Sequence, residues 1–289
     1  VTVAEKLQRG QLPNADILRL FREAQTELIS IIERIEKGSR FSRFRRTQLR
    51  AIERVIVKLE ANALNWADDA LPEVMEIGAK ETYEELKSFG ETGFQVKFSG
   101  VPEEAIKQFV EEAWLDFGTT MQGLQKNAKR AALERRRVQE RVFKGLVQGA
   151  SVGRTQREIV SDLKKQGFTV LKAKNGFGRR FSLEAYSNML VRTQNITAYN
   201  LGVKSQLLGT GRRYALFPTI RPDIDGPDIC NDWEKKKFVD LLRDPLPPAS
   251  THPNCRHTVS AVSFDQLQRE RPDLYEKARR FYRETIDAD

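Results

Sequence analysis

Both cysteines and both histidines of the chain fall in residues 227–260, at Cys230, His252, Cys255 and His257. A random placement over the chain would do this roughly a few times in a thousand, so the four point to one local site. Two thiolates and two imidazoles suit a tetrahedral zinc ion, and a full set of four protein ligands would make that ion structural. Two other readings stay open: a buried free thiol beside hydrogen-bonded histidines, and a Cys230–Cys255 disulfide. Two cysteines in 289 residues are not the composition of a secreted disulfide scaffold.

The elements around these residues follow from local pattern. His252-Pro-Asn-Cys255 reads as a turn with Pro253 fixing φ. Cys255 and His257, two apart, share one face of any strand continuing through Thr258 to Val262. Cys230 arrives from an earlier loop. Upstream, residues 182–209 read as one helix, and Arg213–Phe217 as a short extended piece among proline-rich loops. Residues 267–286 read as a closing charged helix with Leu274, Ala278 and Phe281 inward. The expected fold class is α+β: a mainly helical region over 1–148, then a smaller α+β domain over 149–289 with a short sheet and the Cys/His loops. The boundary is taken at the glycine-rich stretch from Gln148 to Gly153.

The first region carries helical periodicity over 14–38, with Ile17, Leu20, Phe21, Ala24, Leu28, Ile31, Ile32 and Ile35 at helical spacing. It returns over 46–88, with an interruption expected at Pro72, and again from Pro102 to Val147. Residues 90–100 alternate Phe94, Val96 and Phe98 and read as a short strand or extended linker. Residues 155–166 read as a short capped helix, and 172–180 as a basic glycine loop without the order of a phosphate cradle.

Lys and Arg exceed Asp and Glu by nine, for a pI near 9.5. That balance favours a polyanionic partner such as DNA. The candidate contacts are Arg40, Arg43, Arg45 and Arg46, in a turn interleaved with Phe41 and Phe44, and Lys129, Arg130, Arg135, Arg136 and Arg137 on a long positive face. A solvated turn and an ordinary amphipathic helix are the structural alternatives for the two clusters. No apolar run approaches a membrane span, and no signal peptide is read at the N-terminus. A nucleophile elbow, a zinc-protease helix motif and a phosphate-binding Walker loop are all missing from the sequence, so no catalytic residue is assigned and the chain is expected not to be an enzyme.

Two stretches carry a resemblance. The run Pro247-Pro248-Ala-Ser-Thr-His252-Pro-Asn-Cys255-Arg256, after Asp228-Ile-Cys230, resembles the signature of the Mu F-like minor head, or head morphogenesis, proteins of tailed phages. Leu190-Val-Arg192-Thr193-Gln194 followed by Ala198-Tyr-Asn200-Leu-Gly202 is similar to that family's second landmark, Arg-Thr and then Ala-x-Asn-x-Gly on a helix. The resemblance covers about residues 140–265. Many members have C-x-x-C where this chain has Cys230-Asn-Asp-Trp233, and C-R-C where it has Cys255-Arg-His257.

The resemblance implies a structural minor capsid protein acting in head assembly, located in the capsid interior or at the portal vertex of a virion assembled in the host cytoplasm. Its partners would be the portal protein, the major capsid or scaffolding protein, and phage DNA during packaging or ejection. The alternatives are a basic DNA-binding protein acting alone and an ADP-ribosyltransferase-like enzyme. The latter chemistry, found fused to relatives, is imitated in order by Arg192, Thr258 to Ser260, and Gln268 to Glu270.

Overall fold

In a computed structural model, residues 2–8, 16–34, 41–92, 94–147, 183–218, 229–249 and 255–286 are described. Among them are eight helices and one two-stranded sheet, an α+β chain with a helical N-terminal part. The helices are α1 (Val3–Gln8), α2 (Asp16–Arg34), α3 (Phe41–Ser88), α4 (Glu103–Val147), α5 (Leu183–Gly209), α6 (Ile229–Lys236), α7 (Phe264–Glu270) and α8 (Pro272–Ile286). The strands are β1 (Tyr214–Leu216) and β2 (Phe238–Asp240). The helix read over 155–166, the loop 172–180 and the boundary at 148/149 lie outside the described residues.

The chain divides into two interleaved units. One holds 16–65 and 114–188; the other holds 1–15, 66–113 and 189–289. The long helices α3 and α4 each contribute one part to each unit.

In the unit holding α2, Ile17, Phe21, Ala24, Leu28 and Ile31 of the stripe read from sequence are buried, and Leu20 is half-buried. So are Ile52, Val55, Ile56 and Leu59 of α3, and Phe117, Met121, Leu124 and Ala128 of α4. Burying each larger side chain contributes on the order of 1.5–3 kcal/mol, which helices of this kind need because backbone propensity alone is marginal. Lys129 of α4 bonds Glu53 of α3 at 2.7 Å.

In the other unit α3 runs through Pro72 without a break, against the expected interruption. Proline removes one hydrogen bond and strains the turn before it, at about 3 kcal/mol. Leu71, Val74, Met75 and Ala79 beside it are all fully buried, and their burial outweighs that loss. Helix α5 crosses α3 backbone to backbone: a Cβ on Gly202 would lie 1.9 Å from the Met75 carbonyl oxygen, and one on Gly78 would lie 2.4 Å from that of Tyr199. The helix ends at Gly209, and two residues on the chain turns at Gly211, whose φ of 72° is the left-handed conformation that glycine adopts without penalty.

Strand β1 pairs antiparallel with β2, Ala215 opposite Val239, and bridges on its other edge to Ser260. The extended piece expected over 258–262 is therefore reduced to this bridge, and β2 lies in a stretch read as loop. Residues 94–100 form no strand; they are pinned as a linker. Phe94 stacks on Phe264 at 4.2 Å, the Tyr282 hydroxyl accepts from the Gln95 amide at 2.7 Å, and Gln206 accepts from the Ser99 amide at 3.0 Å. The closing helix is two helices. They part at Arg271, which precedes Pro272 and leaves helical geometry (φ −145°, ψ 74°) as residues before proline tend to. Tyr282, rather than the half-buried Phe281, is the aromatic that α8 buries.

Three carboxylates at the end of α3 and just beyond it hold this unit's segments. Glu81 accepts from the amides of Val3 (2.6 Å) and Ala4 (3.3 Å) at the start of α1, and from the Tyr199 hydroxyl (2.9 Å). Glu85 accepts from the Ala261 amide at 2.9 Å. Glu91 accepts from the Phe264 amide at the start of α7 and pairs with buried Arg212. Negative charge at helix N-termini also meets the positive end of the backbone dipole.

Candidate metal centre

Helix α6 and the extended stretch after residue 254 meet beside β1. Cys230 in the first turn of α6 is 4% exposed, and Glu234 lies one turn later on the same face. Cys255 and His257, at i and i+2 of extended chain, project to one side, so the Cys255 Sγ lies 3.2 Å from the His257 Nδ1. The two sulfurs are 3.9 Å apart. The ligand atoms of Cys230, Cys255 and His257 all fall within 4.8 Å of one another, and all three residues are buried.

These three residues can hold a metal ion. A disulfide needs sulfurs about 2.05 Å apart, far closer than the pair here, and neither cysteine is in a disulfide. A tetrahedral ion with metal–sulfur bonds of about 2.3 Å has a sulfur–sulfur edge of about 3.8 Å. The observed separation matches that edge. The His257 amide also donates to the Cys255 Sγ at 3.4 Å.

The imidazole of His257 is held on every side. Its Nε2 faces the Glu234 Oε1 at 2.7 Å, and Phe217 stacks on its ring with centroids 4.6 Å apart. Trp233 lies beyond Phe217 at 6.0 Å. Burial by itself would lower this imidazole's pKa; hydrogen bonds to Cys255 and Glu234, with their charge, outweigh it and the net direction is upward.

The landmark helix α5 reaches the same place. Asn200, fully buried, donates from Nδ2 to the Pro247 carbonyl (2.9 Å) and the His257 carbonyl (3.3 Å), while its Oδ1 accepts from the Val259 amide (2.9 Å). Arg192 and Thr193 are half-buried on α5. Burial lowers the Arg192 pKa, and the charge of half-buried Arg256 lowers it further, which brings these two motif arginines within electrostatic reach.

Of the four expected ligands the structure brings together Cys230, Cys255 and His257; His252 lies outside the described residues, as does Pro253. Cys230 comes from a helix rather than a loop. Glu234 was not singled out in the sequence, although its spacing of four from Cys230 on a helix was a usable signal. Among the candidate DNA contacts, Arg40 lies outside the described residues. Arg43, Arg45 and Arg46 belong to the first turns of α3, since the helix begins at Phe41 where a turn was expected. Arg130, Arg135, Arg136 and Arg137 lie on α4. Lys129, half-buried, has its charge answered by Glu53. Glu270, from the ADP-ribosyltransferase-like order, is exposed at the end of α7 and bonds Lys237 at 2.5 Å. No helix among the described residues is long and apolar enough to cross a membrane.

No protein-family model matches this chain, and no curated protein or solved structure is significantly similar to it.

Proposed function

We propose that the chain is a structural, non-enzymatic minor head protein of a tailed phage, acting at the portal vertex or capsid interior in head assembly, with its Cys/His loops pinned by zinc. The observation that carries the reading is Asn200. It belongs to one of the two stretches resembling the Mu F-like proteins, and it hydrogen-bonds the first residue of the other, Pro247, and the residues just after that run, His257 and Val259. Two motifs some fifty residues apart thus serve one buried junction, as expected if both are retained for a common structural purpose. The chemistry of the donor set supports zinc: two thiolates and an imidazole at tetrahedral spacing, with His252 as the proposed fourth ligand. A filled set of four protein ligands leaves no open position for catalysis and fits a scaffold role.

The test of the assembly role is co-expression of the full chain with a tailed-phage portal protein. Co-purification that survives high salt is the expected result. Absence of portal binding, with DNA affinity that falls steeply as salt rises, would replace this reading with a basic DNA-binding protein acting alone. Zinc is checked by elemental analysis of protein purified without added metal or a histidine tag. About one zinc per chain, lost in Cys255→Ser, is expected, and chelation should lower the unfolding midpoint of the wild type.

A further inference from the structure

Resting on the proposed metal site, we infer that Glu234 is a positioning residue which fixes the His257 imidazole so that Nδ1, and not Nε2, is the metal-binding nitrogen. The two ring nitrogens face different partners. Nδ1 points into the sulfur cluster, 3.2 Å from the Cys255 Sγ. Nε2 points away from it, 2.7 Å from the Glu234 Oε1. A carboxylate only accepts, so the shared proton sits on Nε2 and leaves the Nδ1 lone pair directed at the two sulfurs. The carboxylate itself stands outside the cluster of ligand atoms. It therefore acts through the imidazole, as a carboxylate–histidine–metal triad does.

The fold supplies both parts from one short element. Cys230 and Glu234 are one helical turn apart on α6, so the helix that delivers a thiolate also delivers the group that orients the histidine. Phe217 stacked on the ring holds its plane, and a half-turn within that plane would present ring carbons, in place of both nitrogens, to the Cys255 Sγ and the Glu234 carboxylate. Zinc affinity should then depend on a residue that never touches the ion.

The experiment uses the full chain with zinc and with cobalt(II), comparing wild type, Glu234→Gln and Glu234→Ala. Metal affinity is read by competition with a chromophoric chelator. The coordinating nitrogen is read from long-range nitrogen–proton correlations of the imidazole. The wild type is expected to show metal on Nδ1 and a proton on Nε2. Glu234→Ala should lose about 10–100-fold in affinity while keeping the cobalt–thiolate absorption of a tetrahedral site. Glu234→Gln, which retains an accepting oxygen without the charge, should fall between the two. A purely structural role for Glu234 would lower stability without moving the nitrogen correlations. Metal on Nε2 in the wild type, or unchanged affinity in Glu234→Ala, overturns this inference and leaves the zinc reading standing. A wild type that binds neither ion overturns both.

Discussion

Asn200 shows how one side chain does what a strand would otherwise do. Its amide reaches two carbonyls and one amide that no helix or sheet satisfies, and an unmade bond at such a depth costs about 1–3 kcal/mol. Asn200→Asp has the same shape but turns its second oxygen toward the Pro247 and His257 carbonyls. It should destabilise by about 2–4 kcal/mol, read by denaturant unfolding, despite being isosteric. Glu85 gives the opposite lesson. Burial raises its pKa above the ordinary 4.5; the Ala261 amide opposes that rise, and Glu81 adds to it. A carboxyl whose folded pKa is raised contributes stability that is fully present below its unfolded value and is lost as pH rises through the folded one. Glu85→Gln keeps an acceptor for the Ala261 amide and removes the charge. Its unfolding midpoint should match the wild type below about pH 4 and exceed it near neutrality.

The elements are positioned by close approach as much as by apolar stripes. Helices α3 and α5 cross at Gly78 and Gly202, where neither backbone leaves room for a Cβ. Gly202→Ala would add a carbon within bonding distance of the Met75 carbonyl oxygen, so the helices must separate. The expected loss is about 1–3 kcal/mol or more, since overpacking is destabilising. Moving α5 also moves Asn200, two residues away, so zinc affinity should fall in the same variant if the junction transmits the shift. A variant with normal stability and normal zinc content would show that the crossing is looser than its geometry implies. The resemblance in Ala198-Tyr-Asn200-Leu-Gly202 thus has two physical parts: the asparagine holds the loops and the glycine sets the distance.

At the scale of the whole molecule, the division into units does not follow chain order. Residues 66–113 belong with 189–289, and Glu81, Glu85 and Glu91 bond the start of α1, Tyr199, Ala261, Phe264 and Arg212. A fragment of 149–289 should therefore lack cooperative unfolding by circular dichroism, whereas a self-contained C-terminal domain would show a sharp transition. The sequence by itself determined the helical N-terminal region, the stripe of α2 and the helical periodicity of α3, the extent of α5, the extended β1 and the convergence of Cys230, Cys255 and His257. Each of these rests on local periodicity, local spacing or the scarcity of a residue type. Only the tertiary structure decided the passage of α3 through Pro72, which depends on how much apolar surface its neighbours bury. It also decided the pairing of β2, because a three-residue strand has no periodicity of its own, and the roles of Glu234 and Asn200. Hydrogen-bond partners tens of residues away leave no trace in local pattern, since any glutamate or asparagine could take them once the backbone brings them near.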